Sequence, residues 1–340
     1  MKNKLISFLF TIFALSSINF CSRAEMLGGN KLLEWEGGHY REDIRMYTLT
    51  SIDYIKGEPE FDFISLSDDI DLYDNKYKKD IYLIPSAENK TYKKEQYLLT
   101  GSYRTKLLNL AGISEDDTVF IYDYLNNKLK SVPVYGLNTF AVVNTYYHPH
   151  EPYELDAYMF GFKLNSNMFD QYASYIVYIG KENPFLQQPL TPLVWHQIDS
   201  KDFPVLESDD EITSLIPVYN PEDLIKGDNF MAEAIGLRFY IQNYETPDNN
   251  EIIIRHLIIL DSDSNMITNV VHGYFEGGML LPLSSSIDDN KEIFQWVGSI
   301  LKNEPPVIFD FSSEAFSCRP LFQFIHPLHE YFIPRCDCRH

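Results

Sequence analysis

The sequence predicts an α+β protein that is mainly antiparallel β, with hairpin-rich sheets, few helices and one helix near residues 289–303. Three observations lead there. Short stretches rich in Val, Ile, Tyr and Phe alternate with polar turns along most of the 340 residues, which is the rhythm of antiparallel strands. Two pairs of these stretches face each other across turns that contain Asp and Asn. Hydrophobic residues at 45% and aromatics at 15% are enough for a packed core, so the chain is globular.

The first residues carry an address. Lys2 and Lys4 precede an apolar run over 5–20, and Ser22, Arg23 and Ala24 offer small residues for cleavage. Residues 1–24 are expected to be a secretory signal peptide that delivers the chain to the periplasm or the extracellular space. The alternative, a lipid anchor on Cys21, is disfavoured by Phe20, because lipoprotein signals need a small residue there. No later stretch is long and apolar enough for a spanning helix, so no transmembrane segment is expected once the signal is removed. The remaining chain divides near Pro184, Pro189 and Pro192, which cannot donate to a sheet ladder. This sets a β-rich N-terminal domain over 25–190 and a C-terminal α+β domain with a disulfide-tied tail over 191–340.

Strand candidates in the first domain are 44–49, 61–66, 81–84 and 97–99. Lysines and tyrosines interleave between residues 73 and 97, as on a single-strand nucleic-acid surface. The charge argues otherwise. With 28 basic against 49 acidic residues the chain stands at −21, and losing Lys2, Lys4 and Arg23 makes it more negative still. Such a field repels nucleic acid and anionic headgroups and favours a basic protein partner, so these residues are read as a solvated hairpin.

Leu107, Leu108 and Ala111 form a brief helical face that Gly112 can stop, since glycine takes the left-handed position without strain. Residues 119–124 and 129–134 then form a hairpin across Leu125, Asn126, Asn127 and Lys128, where paired asparagines suit a mirror-image turn. A similar unit recurs at 257–271 around Asp261 to Asn265, in the manner of an internal duplication. Between them lie candidates at 157–164 and 175–179. The second domain holds strands at 194–198, 232–242, 252–261, 266–274 and 279–283. Ile293, Trp296, Val297, Ile300 and Leu301 repeat at helical spacing, with Ser286 and Asp289 suited to a cap and Pro305 and Pro306 ending the run. A last strand is expected at 307–311.

Three constellations bear on chemistry. In extended chain, His148 and His150 face the same way, and Glu154 follows close by, so the three can ligate one metal ion. This His-x-His-x3-Glu-x6-Gly spacing, ending at Gly161, resembles the first metal motif of the cupin family of small β-barrels. The resemblance covers about a dozen residues. It implies that His148, His150 and Glu154 are ligands in a metal-dependent β-barrel enzyme. Proline-flanked histidines equally suit an exposed partner-contact loop, and Tyr146, Tyr147 and Tyr153 around them would supply rigid aromatic contact area.

The second constellation is the tail, where Cys318, His326, His329, Cys336, Cys338 and His340 could hold zinc or copper. An oxidising compartment favours a disulfide there, between Cys318 and either Cys336 or Cys338, worth about 2–4 kcal/mol. The third is Asp261-Ser262-Asp263-Ser264-Asn265, which opens like a calcium loop but has Met266 and His272 where the turn glycine and bidentate glutamate belong. It is read as a polar turn.

Common catalytic signatures, the Gly-x-Ser-x-Gly elbow, His-Glu-x-x-His and the phosphate loops, are absent. No cofactor is expected beyond the metal just described. The leading expectation is an exported acidic binding protein, of the inhibitor or immunity type, that neutralises a basic secreted enzyme or toxin. The metal-dependent enzyme and a carbohydrate-binding or envelope-scaffold module are the alternatives.

Overall fold

The computed structural model describes residues 39–40, 44–70, 83–85, 92–148, 152–165, 175–204, 224–247, 251–273, 279–285, 295–309, 311–313, 321–324 and 329–332. Among these residues the protein is mainly antiparallel β with a single α-helix, Ser102–Leu110, as the sequence predicts. The expected signal segment over 1–24 and the cysteines of the expected bridge, Cys318 with Cys336 or Cys338, lie outside the described residues.

Four sheets carry the fold. The first runs Thr50–Ile52, Phe61–Ser65, Tyr158–Asn165, Asn138–Val143, Gln96–Leu99, and the second Met46–Tyr47, Tyr175–Gly180, Thr118–Asp123, Lys128–Pro133. The third runs His39–Tyr40, His329–Phe332, Leu321–Phe324, Val307–Phe309, Gln295–Gly298, Thr191–Leu193. The fourth runs His196–Ile198, Ile225–Ala234, Leu237–Glu245, Ile252–Leu260, Met266–Gly273. Met279–Leu280 and Ser312–Ser313 add a small ribbon. Every described pairing between these strands is antiparallel except His39–Tyr40 beside His329–Phe332.

The side-chain parity of these strands stacks the sheets. Val119, Ile121 and Val177 point from the second sheet to Ile64, Phe162 and Leu164 of the first. Their neighbours Phe120, Tyr122 and Ile176 point the other way, to Phe185, Leu301, Val307 and Phe309 around the third. Tyr124 and Phe309 stack with ring centres 4.4 Å apart. From the third sheet Leu193, Val297 and Ile308 meet Phe239, Ile241, Leu257 and Ile259 of the fourth. The second and third sheets are therefore covered on both faces. That is why 119–124 and 175–179 read as unbroken apolar runs rather than alternating ones.

The edge strand Lys128–Pro133 is the exception, exposed at every other position or more, with Lys128, Lys130 and Pro133 along it. Charges and a proline on a free edge discourage another strand from pairing there. Pro192 likewise sits in an edge strand, opposite Trp296, where its missing N–H costs nothing. The core around Phe120, Tyr122, Leu190, Ile300 and Phe309 draws on residues from both sides of position 190.

The helix buries Leu107 and Leu108 and ends where Gly112 takes a φ of +65°. Arg104 ties it down: Nε and Nη2 donate to both Glu115 carboxylate oxygens at 2.7 Å, and Nη1 and Nη2 reach the Leu137 and Val134 carbonyls. The Arg104 hydrogen bonds hold the Glu115 carboxyl below its ordinary value of 4.5. A depressed carboxyl stabilises the fold above its unfolded value and loses that contribution as pH falls through its folded one. Glu115→Gln should therefore cost about 0.5 kcal/mol at neutral pH after solvent screening, a cost that fades in acid. Urea unfolding at both pH values measures it; an equal cost at both would show that charge is not involved.

Both hairpin turns close on an aspartate. Asp123 accepts from the backbone N–H and side-chain amide of Asn126, and Asp261 does the same for Asn265 while also accepting from the Asp263 N–H. The first turn is not the paired-asparagine mirror turn: only Asn127 has positive φ, 51°, and its Oδ1 accepts from the Tyr122 hydroxyl at 2.9 Å. The mirror-image turn lies at Ile235 and Gly236, with φ of 49° and 78°, and it splits the expected 232–242 strand into two.

The expected helix near 289–303 is corrected. Residues 295–298 form a strand between Thr191–Leu193 and Val307–Phe309, and 286–294 lie outside the described residues. Apolar pairs at 296–297 and 300–301 suit a helix stripe, but they equally serve a strand covered on both faces followed by a bend. Ladder partners on both sides decide for the strand. Leu83 and Ile84 are buried in irregular chain rather than in a strand.

Candidate functional site

The stretch that the sequence singles out begins where Asn138–Val143 leaves the first sheet. Asn144 makes the turn itself, its Oδ1 accepting from the Tyr146 N–H and its carbonyl from the Tyr147 N–H, both at 3.0 Å. Its own N–H donates to the Ala157 carbonyl at 2.8 Å. The turn pushes Tyr146 into solvent, 51% exposed, while Tyr147 folds back against the core beneath.

The return of the loop is braced by His148. Its Nε2 lies 3.0 Å from Glu95 Oε1, and Glu95 Oε2 accepts the Lys56 N–H at 2.9 Å. Tyr54 covers the imidazole with ring centres 5.4 Å apart, and its hydroxyl donates to the Val143 carbonyl. One carboxylate thus joins the 54–58 turn, the start of Gln96–Leu99 and the loop. A carboxylate at Nε2 orients the ring and places the acceptor lone pair of a neutral imidazole on Nδ1.

Tyr153 pairs through its backbone with Tyr92, N–H to carbonyl in both directions at 2.8 Å. At 2% exposure it belongs to the core, edge-on to Tyr158, which in turn packs edge-on against Tyr92 and Tyr97. This corrects the expectation that all three loop tyrosines face a partner. The residue opposite Tyr153 is 61 positions away, and its pairing turns the ring inward. Tyr92 and Tyr97, from the lysine-tyrosine stretch, also pack in this cluster.

Of the three expected ligands, His148 meets Glu95, Glu154 is exposed before the Leu155–Ala157 turn, and His150 lies outside the described residues. Gly161, which completes the cupin-like spacing, sits in mid-strand opposite Ser65 and Phe140. A Cβ there would collide with the Ile64 carbonyl, so the glycine answers to sheet packing. Among the described residues no three or more His, Cys, Asp and Glu side chains are grouped to hold a metal ion. Asp261 spends its carboxylate on the hairpin turn, and the Asn265 hydrogen bonds hold its pKa below the usual value, in keeping with the polar-turn reading.

Two polar features escaped the sequence reading. Glu95 stands 53 residues before His148, and only sheet pairing brings them together. Arg255 and His256 interrupt the apolar run Ile252–Leu260, an anomaly visible in the sequence, and both are buried. His256 Nε2 lies 2.5 Å from Asn269 Oδ1 on the face of the fourth sheet opposite Arg255. No helix among the described residues is long and apolar enough to cross a membrane.

Comparison with known protein families, with curated proteins and with solved structures finds no match to this chain.

Proposed function

We propose that this is an exported, acidic binding protein that grips a basic protein partner, in the manner of an inhibitor or immunity protein, with Tyr146 as its aromatic anchor. The observation that carries the reading is the braced loop. Tyr146 stands half in solvent on a turn whose base is fixed by Asn144, by His148 with Glu95, and by the Tyr92 and Tyr153 pairing. An anchor that is already ordered loses little conformational freedom on binding. The charge of −21 steers a cationic partner toward it.

The test uses the full chain, immobilised, against basic proteins of the compartment into which it is exported. A complex should form at low salt, weaken as salt is raised, and weaken at least about tenfold in Tyr146→Ala. A complex of unchanged affinity in the variant, or one indifferent to salt, sinks the proposal. A second reading, a metal-assisted enzyme, draws on the pairing of His148 with Glu95, since a carboxylate on one ring nitrogen is what a metal-bound imidazole uses. Stoichiometric metal in the purified protein, lost in His148→Ala, would favour it.

A further inference from the structure

Among the described residues Arg255 has no counter-ion. Its side chain is buried in Ile252–Leu260, 2% exposed, with Nε donating to Asn243 Oδ1 at 3.3 Å and Nη1 to the Leu281 carbonyl at 2.8 Å. The guanidinium stands 5.3 Å from the centre of the Phe311 ring. Both hydrogen-bond acceptors are neutral, the Nε contact is long, and no carboxylate reaches ion-pair distance of it among the described residues. Burial alone pulls its pKa down to about 9.

Taking a cation out of water is among the costliest acts of folding, and neutral acceptors with one aromatic face offset only part of it. An apolar side chain of similar length would fill the same place with no charge to desolvate. Among the described residues the guanidinium's remaining N–H groups meet no acceptor, although a planar fork is shaped for two.

The Leu281 carbonyl that meets it lies just past the short strand Met279–Leu280, which packs against Ile252–Leu260. From there residues 281–284 run on as a strap whose carbonyls are held by the fold beneath: Leu281 by Arg255, Pro282 by Gln295 Nε2 at 2.8 Å, and Ser284 by the Trp195 N–H at 2.8 Å. The ribbon that leads into the strap is two residues long on each side. Lifting the Leu281 end costs one carbonyl bond to Arg255 and one from the Leu281 N–H to the Phe311 carbonyl.

We propose that Arg255 is the receptor for an oxyanion, the carboxylate or phosphate group of a ligand, which replaces the Leu281 carbonyl on the guanidinium when the strap lifts. The inference is independent of the Tyr146 loop, which belongs to the other end of the sheet stack. The exchange substitutes a charged acceptor for a neutral one and gives the buried cation a charged partner. The chain's own negative field opposes free anions at long range, so the comparison is made at matched ionic strength.

Thermal unfolding of the full-length protein in inorganic phosphate, in acetate and in chloride tests this. Wild type should melt a few degrees higher in phosphate or acetate than in chloride. Arg255→Met should melt at or above wild type in chloride, because it removes an uncompensated charge, and should lose the anion-specific part of the rise. Arg255→Lys keeps the charge without the fork and should lose most of that rise. An Arg255→Met protein that is unfolded or melts lower in chloride identifies the cation as a structural clamp and overturns the proposal. So does a wild type that does not distinguish the anions, or a variant that responds as wild type does.

Discussion

Gly161→Ala should lower the free energy of unfolding by about 3 kcal/mol, far beyond what a single methyl group costs in most strands. The new Cβ would strike the Ile64 carbonyl, with the Phe63 ring 3.1 Å away on the same side. A carbonyl of a paired strand has no rotamer to move into. Tyr158–Asn165 is held by Phe61–Ser65 on one edge and by Asn138–Val143 on the other, so shifting it to relieve the clash strains two ladders at once. Urea titration followed by fluorescence would measure the loss through the midpoint at constant slope. A midpoint unchanged from wild type would mean that the strand does not lie as described.

Trp195→Ala is expected to cost still more, about 4 kcal/mol. Trp195 is among the largest fully buried side chains, packed where the third and fourth sheets meet. Its indole N–H donates to Gln295 Oε1 at 3.0 Å, and Gln295 passes the contact on to the Pro282 carbonyl. The truncation therefore leaves a cavity and removes a buried hydrogen bond together, two penalties that add. Together the two variants examine the boundary near 190, because Gly161 and Trp195 stand on opposite sides of it. With Phe120 and Tyr122 packed on Ile300 and Phe309, each should lower one shared transition. Two separate transitions, each shifted by one variant, would instead uphold independent N- and C-terminal domains.

Local chemistry was readable from the sequence, and register was not. The hairpins at 118–133 and 252–273 were evident because Asp and Asn write their turns within a few residues, and the helix stop at Gly112 because one residue type satisfies it. Ile235 hid a turn, since a β-branched residue is the least expected occupant of a φ of 49°. Residues 295–298 imitated a helix because a strand with neighbours above and below needs apolar residues at adjacent positions. At the candidate site, the exposure of Tyr146 was anticipated, whereas the inward turn of Tyr153 and the meeting of His148 with Glu95 depend on strands far apart in sequence. The Arg255 anomaly was in plain view as a charge inside an apolar run, and it needed the strap at 281–284 to acquire meaning.

The layering of the sheets also constrains how the molecule comes to be. Residues 118–123 and 175–180 are packed upon from both faces, so a half-built chain would display them as a bare, sticky surface until the neighbouring layers arrive. One of those layers joins residues 39–40 to 329–332, nearly the full span of the polypeptide. Refolding from denaturant should accordingly be slow, on the order of seconds or longer, and its yield should fall with protein concentration.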